Sequence, residues 1–314
     1  MDRVTTYSAY NSVITNLLAA ESRQNQADVQ VSSGKLASDL AGFGSNAEAL
    51  TAARTLKTRV DGYVRTATNV ASQLAAQDTA LTEAANAGQG ARQAIAQAVA
   101  SGSADGLMAS LQSAFSQAVD GLNTQFNGVY LFGGGKVNTP PVAAQTLGDL
   151  AAPPPGGVFQ NDQLAATSRL NETTTINTGM LASNIGGPLF TAFQAVQALD
   201  AGPSGPLTGM LTATQQTALT NLLQTFDTAN KGMTETVAQN GLAQNQVSAI
   251  QTTQTQGQSA LAITIGDMSN VDMGQAAAQL SQAQTALQAS AKVFVSLQNS
   301  SLLNFLGGRG VLGG

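Results

Sequence analysis

The stretch VDMGQAAAQLSQAQTALQASAKVFVSLQNS, residues 271–300, decides the fold of this chain. Apolar or small residues recur in it at alternating spacings of three and four, the pattern of a helix that packs along one face. Neither glycine nor proline interrupts residues 275–305, so we predict a single long helix. A helix with so narrow a seam is stabilised mainly by packing, so it needs a partner. The seam positions are Met273, Ala276, Leu280, Ala283, Leu287, Ser290, Phe294 and Leu297.

The beginning of the chain carries a second seam of the same period. We predict a helix over residues 6–33 that ends at Gly34, because glycine is preferred just after the last turn of a helix. Gln24 is the one polar residue among its seam positions, which are Tyr10, Val13, Leu17, Ala20, Gln24, Ala27 and Val31. Two such seams at opposite ends of one chain predict that the terminal helices pair as a coiled coil.

The seams also predict how copies of the chain contact one another. Pairing the termini covers one face of each helix, and neighbouring copies would cover the rest. A self-complementary contact that does not close on itself generates a helical ring or tube, so the first expected partner is the chain itself. The candidate assembly interface consists of Tyr10, Val13, Leu17, Ala20, Ala27, Val31, Leu280, Ala283, Leu287, Phe294 and Leu297.

The middle of the chain predicts further helices around an interruption. Apolar periodicity predicts helices over residues 47–87, 106–127, 187–201 and 213–264. Clustered glycines and prolines in residues 132–158 stop any helix there. The chain must therefore leave the helical part and return to it.

Short strands are expected inside that interruption. Residues 163–170 alternate in hydropathy and residues 173–178 are prone to β-structure. The predicted fold class is mainly α, with long N- and C-terminal helices paired as a coiled coil, a helical-bundle shaft and a small β-rich insertion domain in the middle. The predicted domains are a terminal coiled coil (1–35 and 266–306), a shaft (36–135 and 186–265), an insertion (136–185) and a disordered tail (307–314).

The composition restricts the partners. Charged residues are 10% of the chain, against about 25% in an ordinary soluble domain, and Gln, Asn, Ser and Thr keep the surface polar. Such a surface repels its own copies weakly. A net charge of −5 without clustered Lys and Arg predicts no nucleic-acid partner. The sequence has no apolar run near 18 residues, which predicts no membrane insertion, and its polar start lacks the pattern of a secretory signal.

The chain also lacks the side chains that carry most enzyme chemistry. It has no histidine and no cysteine, so the usual general base, thiol nucleophile and soft metal ligands are missing. Ser33 beside Lys35 could be a nucleophile with a base, but a helix-capping role explains the pair better. Three glycines before Lys136 lack the spacing and the Ser/Thr of a phosphate-binding loop, and a domain junction explains them better. We therefore predict no catalytic residue, cofactor or metal, and no enzyme.

Four motifs resemble those of the flagellin superfamily. VSSGK at residues 31–35 is similar to the motif that closes its first helix, and residues 271–290 are similar to its C-terminal signature. NGVYLFGG followed by NTPP within residues 127–141, and SLLNFL at residues 301–306, resemble the hook-filament junction branch, hook-associated protein 3. Residues 39–44 differ from the paired-acid stretch that is common in both branches.

The resemblance implies a structural role in the bacterial flagellum. It implies export through the flagellar type III apparatus, residence outside the cell, and helical self-assembly at the junction between hook and filament. The implied partners are a neighbouring hook-associated protein, flagellin and an export chaperone. Two alternatives stay open: a filament-forming flagellin, and a surface adhesin or ligand-binding flagellin homologue.

Overall fold

The structure, a computed structural model, describes residues 2–153 and 157–307. The predicted tail lies outside the described residues from position 308 onward. The helices are α1 (Asp2–Ser33), α2 (Ala47–Ser101), α3 (Leu107–Leu122), α4 (Gly148–Ala151), α5 (Ala182–Ala201), α6 (Ala213–Ser269) and α7 (Met273–Gly307), with a 3-10 helix at Ala41–Asn46. The strands are β1 (Gln125–Phe126), β2 (Val129–Tyr130), β3 (Thr167–Arg169) and β4 (Thr175–Asn177).

The chain divides into two compact units. Unit 1 contains Met1–Thr58 and Gln258–Gly314, and unit 2 contains Arg59–Gly257. The finer division of the chain into shaft, insertion and terminal domains stays a prediction. Among the described residues, no helix has the length and apolarity needed to cross a membrane.

In unit 1 the two terminal helices contact each other. The rings of Tyr10 and Phe294 lie 5.6 Å apart. At the other end of the pair, the amide N of Val271 donates a hydrogen bond of 3.0 Å to the carbonyl of Gly34. The start of α1 therefore lies beside the end of α7, and the two helices run antiparallel. The predicted pairing of the termini is confirmed.

Unit 2 is built around an aromatic cluster. The rings of Phe115, Phe193 and Phe226 are fully buried, with centroids 5.4 Å and 5.2 Å apart in consecutive pairs. One face of α2 supplies small side chains to the same core, which lets the neighbouring helices approach closely. Aromatic pairs in these edge-to-face arrangements are worth about 0.5–1.5 kcal/mol beyond their buried area.

Three internal helices are longer than predicted, and one of them, α5, begins at Ala182 instead of residue 187. The helix predicted over residues 106–127 ends at Leu122, because residues 125–126 form β1. The prediction that α2 stops at Ala87 is wrong, because Ala91, Ile95 and Ala98 continue its buried face to Ser101. Gly88 lies within this helix without breaking it. A Cβ at position 88 would collide with the side-chain amide of Asn230 on α6. The glycine is thus a site of close helix packing. α6 likewise continues past Thr264 to Ser269.

The insertion contains one small hairpin. β3 pairs antiparallel with β4, and Ser168 lies opposite Ile176. Leu170 and Ile176 are buried against Val70 and Leu74 of α2 and Val247 of α6. Together with the paired terminal helices, this confirms the predicted fold class of a mainly α chain with a small β insertion.

The rest of the insertion packs on the aromatic core of unit 2. Val142, Leu147 and Leu150 are buried in the same cluster as the helices α3 and α5. The carbonyl of Leu150 accepts a hydrogen bond of 3.1 Å from the Gln194 side chain of α5. The segment is therefore held to the helical core by apolar contacts as well as by hydrogen bonds.

Candidate assembly surface

All eleven predicted interface residues lie on α1 or α7 and are buried or half-buried. Ala20, Ala27 and Ala283 are buried, and the other eight are half-buried, while the positions between them are mostly exposed. Small side chains at the buried positions allow the two helices to approach closely. Within one chain these residues cover one another; their predicted role between copies stays a prediction. The half-buried residues are Tyr10, Val13, Leu17, Val31, Leu280, Leu287, Phe294 and Leu297.

Met273 departs from the predicted seam. It is 49% exposed, because it is the first residue of α7 and lies beside the helix cap. The carboxylate of Asp272 accepts hydrogen bonds from the backbone N–H groups of Gly274 and Gln275, at 2.8 Å and 3.2 Å. These bonds satisfy donors that the first turn of a helix leaves free. The seam of α7 therefore begins at Ala276.

The segment after α1 closes the paired end of the helices. Gly34 has a φ of +65°, a left-handed conformation that a side chain disfavours, and α1 ends at the preceding residue as predicted. The Lys35 ammonium donates a hydrogen bond of 2.7 Å to the side-chain oxygen of Asn270. The backbone N–H of Lys35 also donates to the hydroxyl of Ser33, at 3.2 Å. This geometry supports the capping role of Ser33 and Lys35 over a catalytic one.

The three glycines before Lys136 form a turn that is held by a hydrogen bond to Asp162. One carboxylate oxygen of Asp162 accepts hydrogen bonds from the N–H groups of Gly135 and Leu164, at 2.8 Å and 2.9 Å. The bond from Gly135 is the main reason that the pKa of Asp162 lies below its ordinary value. A Cβ at Gly135 would lie 2.6 Å from the other carboxylate oxygen. The N–H of Gly135 is thus already bonded to a carboxylate of the chain itself.

A second apolar surface of unit 1, which the sequence did not reveal, lies on α1 away from the seam. Leu18, Val29 and Leu36 are 58%, 44% and 41% exposed, and they line one open groove of about 650 Å³ together with Glu21 and Asp39. Leu18 and Val29 are eleven residues apart, which is close to three helical turns and places them on one face. This spacing in the sequence indicates a second apolar face on α1, but it is a weaker pattern than the repeated spacing of three and four in the seam.

α7 also exposes apolar side chains outside the seam. Val293 and Val295 are each about half exposed. Lys292 is exposed and is the one charged residue within α7. In the described part of the chain, no group of three or more His, Cys, Asp and Glu side chains could hold a metal ion. The exposed apolar side chains of α1 and α7 make the surface of unit 1 suited to contacts with other proteins.

These features define a class of protein. The two terminal helices form one antiparallel pair that exposes apolar side chains, and the sequence of unit 2 lies between them. Comparison with known families identifies the class more closely. Residues 4–136 match the bacterial flagellin N-terminal helical region, and residues 223–306 match the bacterial flagellin C-terminal helical region. Together the two regions match more than half of the chain, which therefore belongs to the flagellin superfamily.

Two solved structures share the fold. One, assigned as a flagellar hook-associated protein of Vibrio parahaemolyticus, is 16% identical with a TM-score of 0.58, and the match covers 71% of this chain and 97% of that one. The other is Bacillus cereus FlgL, 17% identical with a TM-score of 0.53, covering 69% and 98%. A search of curated proteins gives no significant match. As a member of its family, the chain is an exported structural component of the bacterial flagellum.

Proposed function

We propose that this chain forms the junction between the flagellar hook and the filament, by helical self-assembly through its terminal helices. One observation carries the proposal: the α1/α7 pair covers its seam within the chain, yet leaves large apolar side chains exposed outside it. Such residues gain free energy when a neighbouring subunit covers them, about 25 cal/mol for each Å² of apolar surface. Contacts with other subunits would therefore cover the apolar surface that the α1/α7 pair leaves exposed.

The names of the two solved structures, a flagellar hook-associated protein and FlgL, support a role among the hook-associated proteins. The match covers nearly the whole length of each, so this chain contains a counterpart of most of their fold. Its neighbours in the flagellum would be another hook-associated protein on the hook side and flagellin on the filament side. An export chaperone would bind the chain in the cytoplasm before it passes through the type III apparatus.

The direct test combines deletion with localisation. Cells of the source bacterium that lack this chain should build hooks without filaments, and should release flagellin into the medium. Immunogold labelling of intact flagella should place the chain in a narrow band between hook and filament. Deletion cells that still carry normal filaments would contradict the proposal.

A filament-forming flagellin is the second candidate. Both matched family regions are described as those of flagellin, and a filament protein would need the same exposed surface on its paired helices. The two roles differ in copy number. A filament protein is abundant in sheared filaments and labelled along their whole length, whereas a junction protein is scarce there.

A further inference from the structure

The groove on α1 has a complementary surface on α7, and the two lie at different places on unit 1. In the antiparallel pair Phe294 lies beside Tyr10, so Val295 lies near position 9 of α1. The groove begins at Leu18 and continues towards Gly42. At 1.5 Å for each helical residue, Leu18 and the level of Val295 are about 13 Å apart along the axis.

The two surfaces also differ in charge. Glu21 and Asp39 line the groove among its apolar side chains. On α7, Lys292 and Val295 are three residues apart and so share one face of the helix, and both are exposed. We call Lys292 and Val295 the ridge. The groove therefore combines exposed apolar side chains with negative charge, and the ridge combines an exposed apolar side chain with positive charge.

We propose that the groove formed by Leu18, Val29 and Leu36 binds the Lys292–Val295 ridge of a second copy of this chain. Val295 packs against Leu18 at the start of the groove, and the ammonium of Lys292 pairs with the carboxylate of Glu21, one helical turn further along α1. The contact joins two different surfaces, so each copy offers one free groove and one free ridge after binding. Such a contact continues from copy to copy, into a ring if the rotation closes and into an open helix if it does not.

The proposal rests on the proposed function, since it names the contact through which the terminal helices assemble. It assigns that contact to residues outside the seam. The predicted seam residues then hold α1 to α7 within each chain, and the groove and ridge hold one chain to the next.

A disulfide test uses the absence of cysteine from the chain. Cells that lack the native chain produce the double variant Leu18→Cys/Val295→Cys, and their isolated flagella are oxidised and separated without reductant. We expect a ladder of covalent dimers, trimers and larger multimers, because each copy links to the next. The two cysteines of one chain are too far apart to bridge, since a disulfide needs Cα atoms within about 7 Å.

Matched controls identify the contact. Leu18→Cys alone and Val295→Cys alone should give no multimers beyond background. The pair Leu242→Cys/Val295→Cys should also fail, because Leu242 is 69% exposed but belongs to unit 2. A ladder from this control pair, or a double variant that stays monomeric within normal flagella, would overturn the proposal.

A charge exchange gives an independent readout. Lys292→Glu places two carboxylates together, and we expect about three- to tenfold fewer filaments per cell, since exposed charge pairs have modest strength. Adding Glu21→Lys should restore the number of filaments. Asp28→Lys makes the same change of charge at an exposed residue of α1 outside the groove and should not restore it. Equal rescue by both changes would contradict the proposed pairing.

The outcomes separate this proposal from the proposed function. If the unmodified chain is located between hook and filament but neither the disulfide ladder nor the charge rescue is seen, the groove contact is wrong and the junction role stands. If the unmodified chain is absent from that position, the junction role itself fails.

Discussion

At the scale of single residues, the chain uses small and polar side chains to bring segments close together. Gly88 leaves space for the amide of Asn230, and Gly135 leaves space for the carboxylate of Asp162. In each case a neighbouring side chain occupies the position where a Cβ would stand. These two glycines therefore mark sites of close packing.

The carboxyl group of Asp162 should make the stability of the folded chain depend on pH through the turn at Gly135. Backbone N–H groups, first that of Gly135, hold the pKa of Asp162 below its ordinary value. A carboxyl with a lowered pKa in the folded chain stabilises it above the unfolded pKa, and this contribution is lost as the pH falls through the folded pKa. Asp162→Asn should therefore lower the urea midpoint near neutral pH and have less effect at about pH 3. An equal loss at both pH values would refute the assigned cause.

At the scale of helices and strands, α2 and α6 are joined by buried polar contacts. The Asn240 side chain donates a hydrogen bond of 2.9 Å to the carbonyl of Leu74 on α2. The buried Gln77 amide of α2 donates one of 2.9 Å to the carbonyl of Thr178, at the end of the hairpin. A displacement of α2 along α6 would leave the buried Asn240 amide without this partner, which is costly. The Asn240 contact thus fixes the register of the two helices, and the Gln77 contact fixes the hairpin on α2.

Asn240→Ala tests that role. We expect the variant to lose about 1–2 kcal/mol of unfolding free energy, because a buried hydrogen bond is removed. Gln239→Ala is the matched control, since Gln239 is the exposed neighbour on the same helix, and its effect should be within about 0.5 kcal/mol. Denaturant unfolding of both variants measures the difference. Equal effects of the two changes would show that the contact does not contribute.

The sequence predicts elements whose pattern is local and strong. The seams of α1 and α7, the end of α1 at Gly34 and the short strands of the insertion follow from spacing and residue type. The extension of α2 beyond Ala87 could not be predicted, because Gly88 disfavours a helix locally and the burial of Ala91, Ile95 and Ala98 in the core compensates. The groove was missed for a related reason: Leu36 joins it by folding of the chain after α1, which no periodicity encodes.

At the scale of the whole molecule, the two units have unequal cores. Unit 1 buries mostly small side chains, such as Ala20, Ala276 and Ala283, whereas unit 2 buries a cluster of aromatic rings. Burial of a large apolar side chain contributes about 1.5–3 kcal/mol, and burial of an alanine much less. Unit 1 should therefore be the less stable part until other subunits cover its exposed apolar residues.

Hydrogen exchange of the free chain tests this difference. Amides of α1 and α7 should exchange faster than those of residues 80–98 and 219–233, which lie in the aromatic core of unit 2. Local opening requires less free energy where few large side chains are buried. In isolated flagella the amides of α1 and α7 should become protected. Slow exchange of the terminal helices in the free chain, equal to that of unit 2, would contradict the proposed division of stability.

The most direct test of the central claim, that the paired terminal helices carry assembly, is the variant Leu287→Asp. Leu287 is half-buried in the seam, so its loss should cost at most the lower part of the range of about 2–5 kcal/mol for a buried leucine, and the partial burial of a charge adds to this cost. Gln288→Asp introduces the same charge at the exposed neighbouring position and serves as the control. The measurement is the fraction of hooks that carry filaments, counted by electron microscopy in cells that produce only the variant. We predict bare hooks with Leu287→Asp and filaments with Gln288→Asp; normal filaments with Leu287→Asp would contradict the account.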